Sequence, residues 1–108
     1  MVYHKELANG RWAKLSFCEQ MANVGSEVGR TISWRNKGNK EYSERAFDRA
    51  LELLDLTIAN EKEFCRLREL LRVRETLVDY FMYDNIYGSS DEKWDKYFLA
   101  FNYAARLN

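Results

Sequence analysis

The sequence predicts an all-α fold, an antiparallel up-and-down four-helix bundle forming a single domain. Three observations carry that expectation. The 108 residues contain no proline and only five glycines, so helices can run uninterrupted and the turn chemistry of a β-sandwich is scarce. Apolar residues recur at steps of three and four rather than two. The breaks in that pattern, near 36–39, 59–61 and 84–90, are short and polar, as in loops that join neighbouring helices of a bundle. With 46% hydrophobic and 15% aromatic residues, the chain has enough apolar material to offset its ordering entropy, which argues against disorder.

The first helix is expected from about Tyr3 to Arg35. Phe17, Met21, Val24 and Val28 form its main row, beside a second row of Leu15, Cys18, Ala22, Gly25, Gly29 and Ile32. Each mid-helix glycine costs about 1 kcal/mol relative to alanine, so Gly25 and Gly29 predict close approach by another helix. Asn9-Gly10 marks an interruption or kink near the start. The second helix is expected over Lys40 to Ala59, behind an Asn39 cap, with Phe47, Ala50, Leu51, Leu54 and Ile58 as its stripe. The third runs from about Glu61 to Tyr83 on Phe64, Leu67, Leu70, Leu71, Leu77, Val78 and Phe81, with Arg74 in the middle. The fourth opens at Ser89-Ser90-Asp91-Glu92, which reads as a capping box with Ser89 as cap and Glu92 as its partner. Trp94, Tyr97, Phe98, Phe101 and Ala105 then recur at helical spacing. Apolar residues on more than one face of such long helices predict a homo-oligomer.

Composition narrows the function classes. Lys and Arg together number 17, as do Asp and Glu, so no global basic field draws the chain to nucleic acid or an anionic membrane. No apolar run is long enough for a membrane span, and the opening MVYHKELANGRW lacks the apolar stretch of a signal peptide. Two cysteines, Cys18 and Cys65, are too few for a disulfide scaffold. A cytoplasmic protein with reduced thiols is expected, with Cys18 buried on the apolar stripe and Cys65 partly exposed. His4 is the single histidine and lies near a terminus, a poor place to hold a catalytic base. No glycine-rich phosphate loop, nucleophile elbow or dinucleotide fingerprint occurs. No cofactor is expected. Glu44, Asp48, Glu52 and Asp55 make a carboxylate row, but di-metal bundles add Glu-x-x-His pairs that are missing here. With Arg45 and Arg49 alongside, that row reads as a solvated face laced with ion pairs, so no metal site is expected. A magnesium site of Asp and Glu alone is the catalytic alternative.

Two constellations stand out. Arg30, Arg35, Lys37 and Lys40 fall in a stretch with no acidic residue, and Trp34 stands among them. Cations that meet phosphates beside an indole that can stack on a base are the elements of a small nucleic-acid contact. The plainer reading is basic residues complementing the negative end of a helix dipole, with Trp34 packed at the bundle end. The second is Arg74, which interrupts an apolar stripe and therefore calls for a carboxylate on a facing helix. Glu27 is one candidate partner in a buried polar pair; the alternative is an arginine that lines an interhelical pocket.

The stretch EQMANVGSEVGR, a short basic turn, then KEYSERAFDRALELLDLTI, from Glu19 to Ile58, resembles the four-helix-bundle family encoded in intervening sequences of large-subunit ribosomal RNA genes. Gln20, Asn23, Gly29, Arg30, Lys40, Glu41, Tyr42 and the Leu-Glu-Leu of Leu51 to Leu53 carry the resemblance, over a little more than one third of the chain. Val24-Gly25-Ser26-Glu27 and the longer connecting turn depart from the family pattern. The resemblance implies an oligomer-forming bundle of no established catalytic activity, with relatives that bind nucleic acid or a polymerase partner. A second comparison is to the small helical HEPN domains, whose nuclease motif sets an Arg a few residues before a His; His4 has no upstream Arg. The expected function is thus a non-enzymatic helical interaction or scaffold module that self-associates. The alternative is a nucleic-acid-binding accessory protein using Arg30, Trp34, Arg35, Lys37 and Lys40.

Overall fold

The computed structural model describes residues 10–107. A 3-10 turn at Trp12–Lys14 precedes α1 (Phe17–Asn36), α2 (Lys40–Asn60), α3 (Phe64–Met82) and α4 (Asp91–Arg106). No strand occurs among the described residues. Each helix begins where a short polar or acidic side chain can take up its orphan amides. Ser16 accepts from the Glu19 amide at 3.1 Å while the Glu19 carboxylate accepts from the Ser16 amide at 2.9 Å, a complete capping box. Asn39 caps α2 through the Tyr42 amide. The Glu63 carboxylate caps α3 by accepting from the Cys65 and Arg66 amides, which holds its carboxyl below the usual range.

Two expected boundaries move. The first helix does not run on from Tyr3. Gly10 has φ +109°, Leu15 is extended, and α1 starts only at Phe17. The residues before Gly10, His4 included, lie outside the described part. The break serves burial: Trp12 turns inward to 1% exposure and donates its indole N–H to Thr57 Oγ1 at 2.9 Å. Gln20 fastens the turn by donating to the Trp12 carbonyl. At the other end the cap of α4 is Ser90, not Ser89, and it accepts from the Lys93 amide. Ser89 instead closes the preceding loop by pairing with Asn85.

The core joins Met21, Val24, Val28 and Ile32 of α1, Phe47, Ala50, Leu53 and Leu54 of α2, Leu70, Val73 and Leu77 of α3, and Trp94 and Phe98 of α4. α1 is the central helix, packed closely against both α2 and α4, whereas α3 approaches α2 more loosely. Gly25 explains the α1–α4 contact. A Cβ there would sit 2.7 Å from Phe98 Cβ, so only glycine lets the ring in. Gly29 meets nothing within 4 Å, so the close approach expected at both glycines is found at one. Ser43 on α2 donates to the Thr31 carbonyl on α1, and Thr31 in turn donates to the Glu27 carbonyl, satisfying the polar groups in that seam. Trp94 Nε1 is the buried polar side-chain atom without a hydrogen-bond partner among the described residues. Its ring is instead packed 5.9 Å from both Phe98 and Tyr97.

Candidate functional site

The basic stretch closes one end of the molecule, across the last turn of α1 and the first of α2. The fold does not present its five residues alike. Arg30 is bonded to Glu27 at 2.6 Å. Arg35 is held by Asp91 and by the Tyr80 hydroxyl, with its guanidinium over the Tyr80 and Phe81 rings at 5.1 and 5.2 Å. Trp34 is half-buried, edge-on to Tyr42 at 4.9 Å, and Lys37 lies over its ring at 5.1 Å. Lys40 is almost fully exposed and reaches Glu44 only at 3.9 Å. The ammonium groups of Lys37 and Lys40 are therefore the cations of this stretch most open to an incoming phosphate.

Arg35, Tyr80 and Asp91 form a cluster that ties the ends of α1 and α3 to the start of α4. Tyr80 donates to Asp91 at 2.6 Å and Asn36 donates to its other oxygen. Burial works against the Asp91 carboxylate, but the bonds from Tyr80 and Arg35 outweigh it and hold its carboxyl below the usual range. Burial and the same carboxylate push the Tyr80 hydroxyl up. The sequence hid this cluster because its members lie 11 and 56 positions apart. The visible hint was Asp91 in the first turn of a capped helix.

The expected pairing of Arg74 with Glu27 does not form. Arg74 donates to both carboxylate oxygens of Asp55, at 2.7 and 3.3 Å. Glu27 is buried, as expected, but its partners are Arg30 and Arg49. The reason is packing order: α1 faces α2 and α4, whereas the neighbour of α3 is α2, so an arginine on α3 meets a carboxylate of α2 first. The carboxylate row is accordingly shared out. Asp55 goes to Arg74, Arg45 turns to Glu41, Arg49 turns to Glu27, and Asp48 faces solvent. Among the described residues no group of three or more His, Cys, Asp and Glu side chains converges on one point. Cys18 is half-buried, not buried, and Cys65 is exposed; both are unpaired thiols.

The larger signal is apolar. Phe64 and Leu71, expected in the α3 stripe, are 68% and 50% exposed. On α4, Leu99 and Tyr103, with Leu107 just beyond the helix, recur every fourth residue and are exposed along one line. Past α3, Tyr83, Ile86 and Tyr87 are exposed around an open groove of ≈ 550 Å³. A second groove of ≈ 730 Å³ lies beside the basic end, bordered by Arg35, Lys40, Phe47 and Phe81. Among the described residues no helix is long and apolar enough to cross a membrane. No family model, curated protein or solved structure matches the chain. Ile86 and Tyr87 fall in the polar break at 84–90, and Leu99 and Tyr103 fall outside the Trp94, Tyr97, Phe98, Phe101 and Ala105 row, so the periodicity of the core does not single them out.

Proposed function

We propose that the protein is a non-enzymatic helical interaction module that self-associates through the outer face of α4, and that its helices run antiparallel in up-and-down order. The observation that carries self-association is the Leu99, Tyr103, Leu107 line. Three large apolar side chains in register, two on α4 and one at its C-terminal end, each 63% or more exposed, are the kind of surface a protein covers with a partner. The order of the helices is supported by contacts that pair opposite ends: Trp12 with Thr57 and Phe17 with Phe101 at one end, Arg35 with Asp91 and Phe47 with Phe81 at the other. Unpaired thiols at Cys18 and Cys65 favour a reducing, cytoplasmic setting. The relationship to the ribosomal intervening-sequence bundles is part of the same proposal, since that family forms oligomers.

Sedimentation velocity tests the reading. The wild type is expected to run as an oligomer at micromolar concentration. Leu99→Asp with Tyr103→Asp is expected to run as a monomer with an unchanged circular dichroism melt, because both positions are exposed. A wild type that stays monomeric ends the proposal. The nucleic-acid reading is the second, and what favours it is the open placement of Lys37 and Lys40 beside Trp34. It expects binding to single-stranded RNA that weakens with salt and on Lys37→Ala with Lys40→Ala. Binding indifferent to both removes it.

A further inference from the structure

We infer that the concave patch made by the end of α3 and the α3–α4 loop is a docking site for a basic, apolar peptide segment of a partner protein, separate from the self-association face on α4. Three features meet there.

The first is exposed apolar surface around a concavity. Leu71, Tyr83, Ile86 and Tyr87 line the ≈ 550 Å³ groove, and Ile86 is 77% exposed.

The second is a loop already ordered for display. Asp79 is buried at the end of α3, and its two carboxylate oxygens accept from the Ile86 and Tyr87 amides, each at 3.1 Å. Asn85, at φ +55°, accepts from the Ser89 amide at 2.7 Å and donates to the Ser89 carbonyl at 3.0 Å. Lys93 donates to the Gly88 carbonyl. Because the loop satisfies its polar groups internally, seating a ligand on Ile86 requires little further ordering of the backbone.

The third is charge. Glu75, Asp79 and Asp84 line the groove, and no described Lys or Arg pairs with any of them. Its one lining cation, Arg74, is committed to Asp55. The Tyr87 hydroxyl donates to Glu75 at 2.7 Å, and the Glu75 and Asp79 carboxylates hold its proton more tightly than usual. An apolar hollow whose carboxylates have no cationic partner among the described residues selects a segment that carries both Leu- or Phe-like side chains and Lys or Arg, and repels phosphate backbones and anionic headgroups. A second copy would offer only Lys37 and Lys40 of its basic stretch, since Arg30 and Arg35 are held within the chain, and the self-association of an Ile86→Asp chain separates that occupant from a partner segment.

The test is fluorescence anisotropy of the full chain with two labelled helical peptides, one of Leu and Lys, the other with Glu at every Lys. The Lys peptide is expected to bind and to weaken as salt rises; the Glu peptide is not. Ile86→Asp is expected to weaken the Lys peptide about tenfold or more, equivalent to roughly 1.4 kcal/mol. Glu75→Gln with Asp84→Asn, which keeps the apolar surface and leaves Asp79, is expected to lessen the salt dependence markedly. No binding, equal binding of the two peptides, or binding unchanged in both variants overturns the proposal. So does an Ile86→Asp chain that loses self-association, because a second copy would then be the occupant. The Leu99→Asp, Tyr103→Asp chain is expected to bind the Lys peptide normally, so failure of self-association and failure of this site are read separately.

Discussion

α1 and α3 are of similar length and both carry apolar stripes, yet they do opposite work. α1 buries Met21, Val24, Val28 and Ile32 and places buried Gln20, Glu27 and Thr31 in satisfied bonds. α3 carries Phe64, Leu67, Leu70, Leu71, Val73, Leu77, Val78, Phe81 and Met82, of which Leu70, Val73 and Leu77 are buried. The difference lies in the side chains between the stripes. α1 has Gly25, where the missing side chain lets Phe98 of α4 press against the helix. α3 carries Arg66, Arg68, Arg72 and Arg74 instead; Arg66 lies over the Phe17 ring and Arg74 pairs with Asp55, and the helix packs on α2 only loosely, which leaves apolar surface outward. A stripe's burial thus depends on how near a partner can come, and the less apolar-looking helix is the one at the centre.

The contrast is sharpest by truncation. Met21→Ala is expected to cost about 2–5 kcal/mol, as for other deep core truncations, whereas Leu71→Ala should fall within about 0.5 kcal/mol of wild type, as exposed substitutions do. Urea denaturation of both variants measures this, and equal losses would erase the distinction between the helices. The two glycines of α1 divide next. Gly25→Ala must displace Phe98 and is expected to destabilise by about 1–3 kcal/mol. Gly29→Ala meets open space and is expected to stabilise by up to about 1 kcal/mol through helix propensity. Thermal melts that move in the same direction for both would contradict the packing described for α4.

The smallest effect concerns pH at the joint between the two helices. Asp91 bridges Arg35 of α1 and Tyr80 of α3, and its folded-state carboxyl is depressed. A depressed carboxyl contributes stability that is fully present above its unfolded value, near 4, and is lost as pH falls through the folded value. Stability is therefore expected to decline below about pH 4 more steeply in wild type than in Asp91→Asn, by a modest margin since the cluster is partly solvated. Identical acid limbs in the two proteins would remove Asp91 from the joint.

Helix identity was legible in the order of residues because period and caps are local: Asn39 and the stripes of Met21 to Val28 and Phe47 to Leu54 stand as read. The start of α1 was not, because Ser16 and Glu19 form a capping box in the middle of a run that looks helical throughout. The stop there depends on Trp12 finding Thr57, 45 residues away. The basic stretch was legible as composition. Its division into held arginines and open lysines was not, since Asp91, Tyr80 and Glu27 reach it from other turns and helices.

By itself the sequence determined that this chain is helical, where most of its turns fall and that it has apolar surface to spare, since these follow from local propensity and from composition. Only the tertiary structure decided which charges are spent on one another, which glycine is filled by a ring, and which apolar side chains stay outside. Those outcomes depend on distances between residues far apart in the chain, and no periodicity along a single helix encodes them.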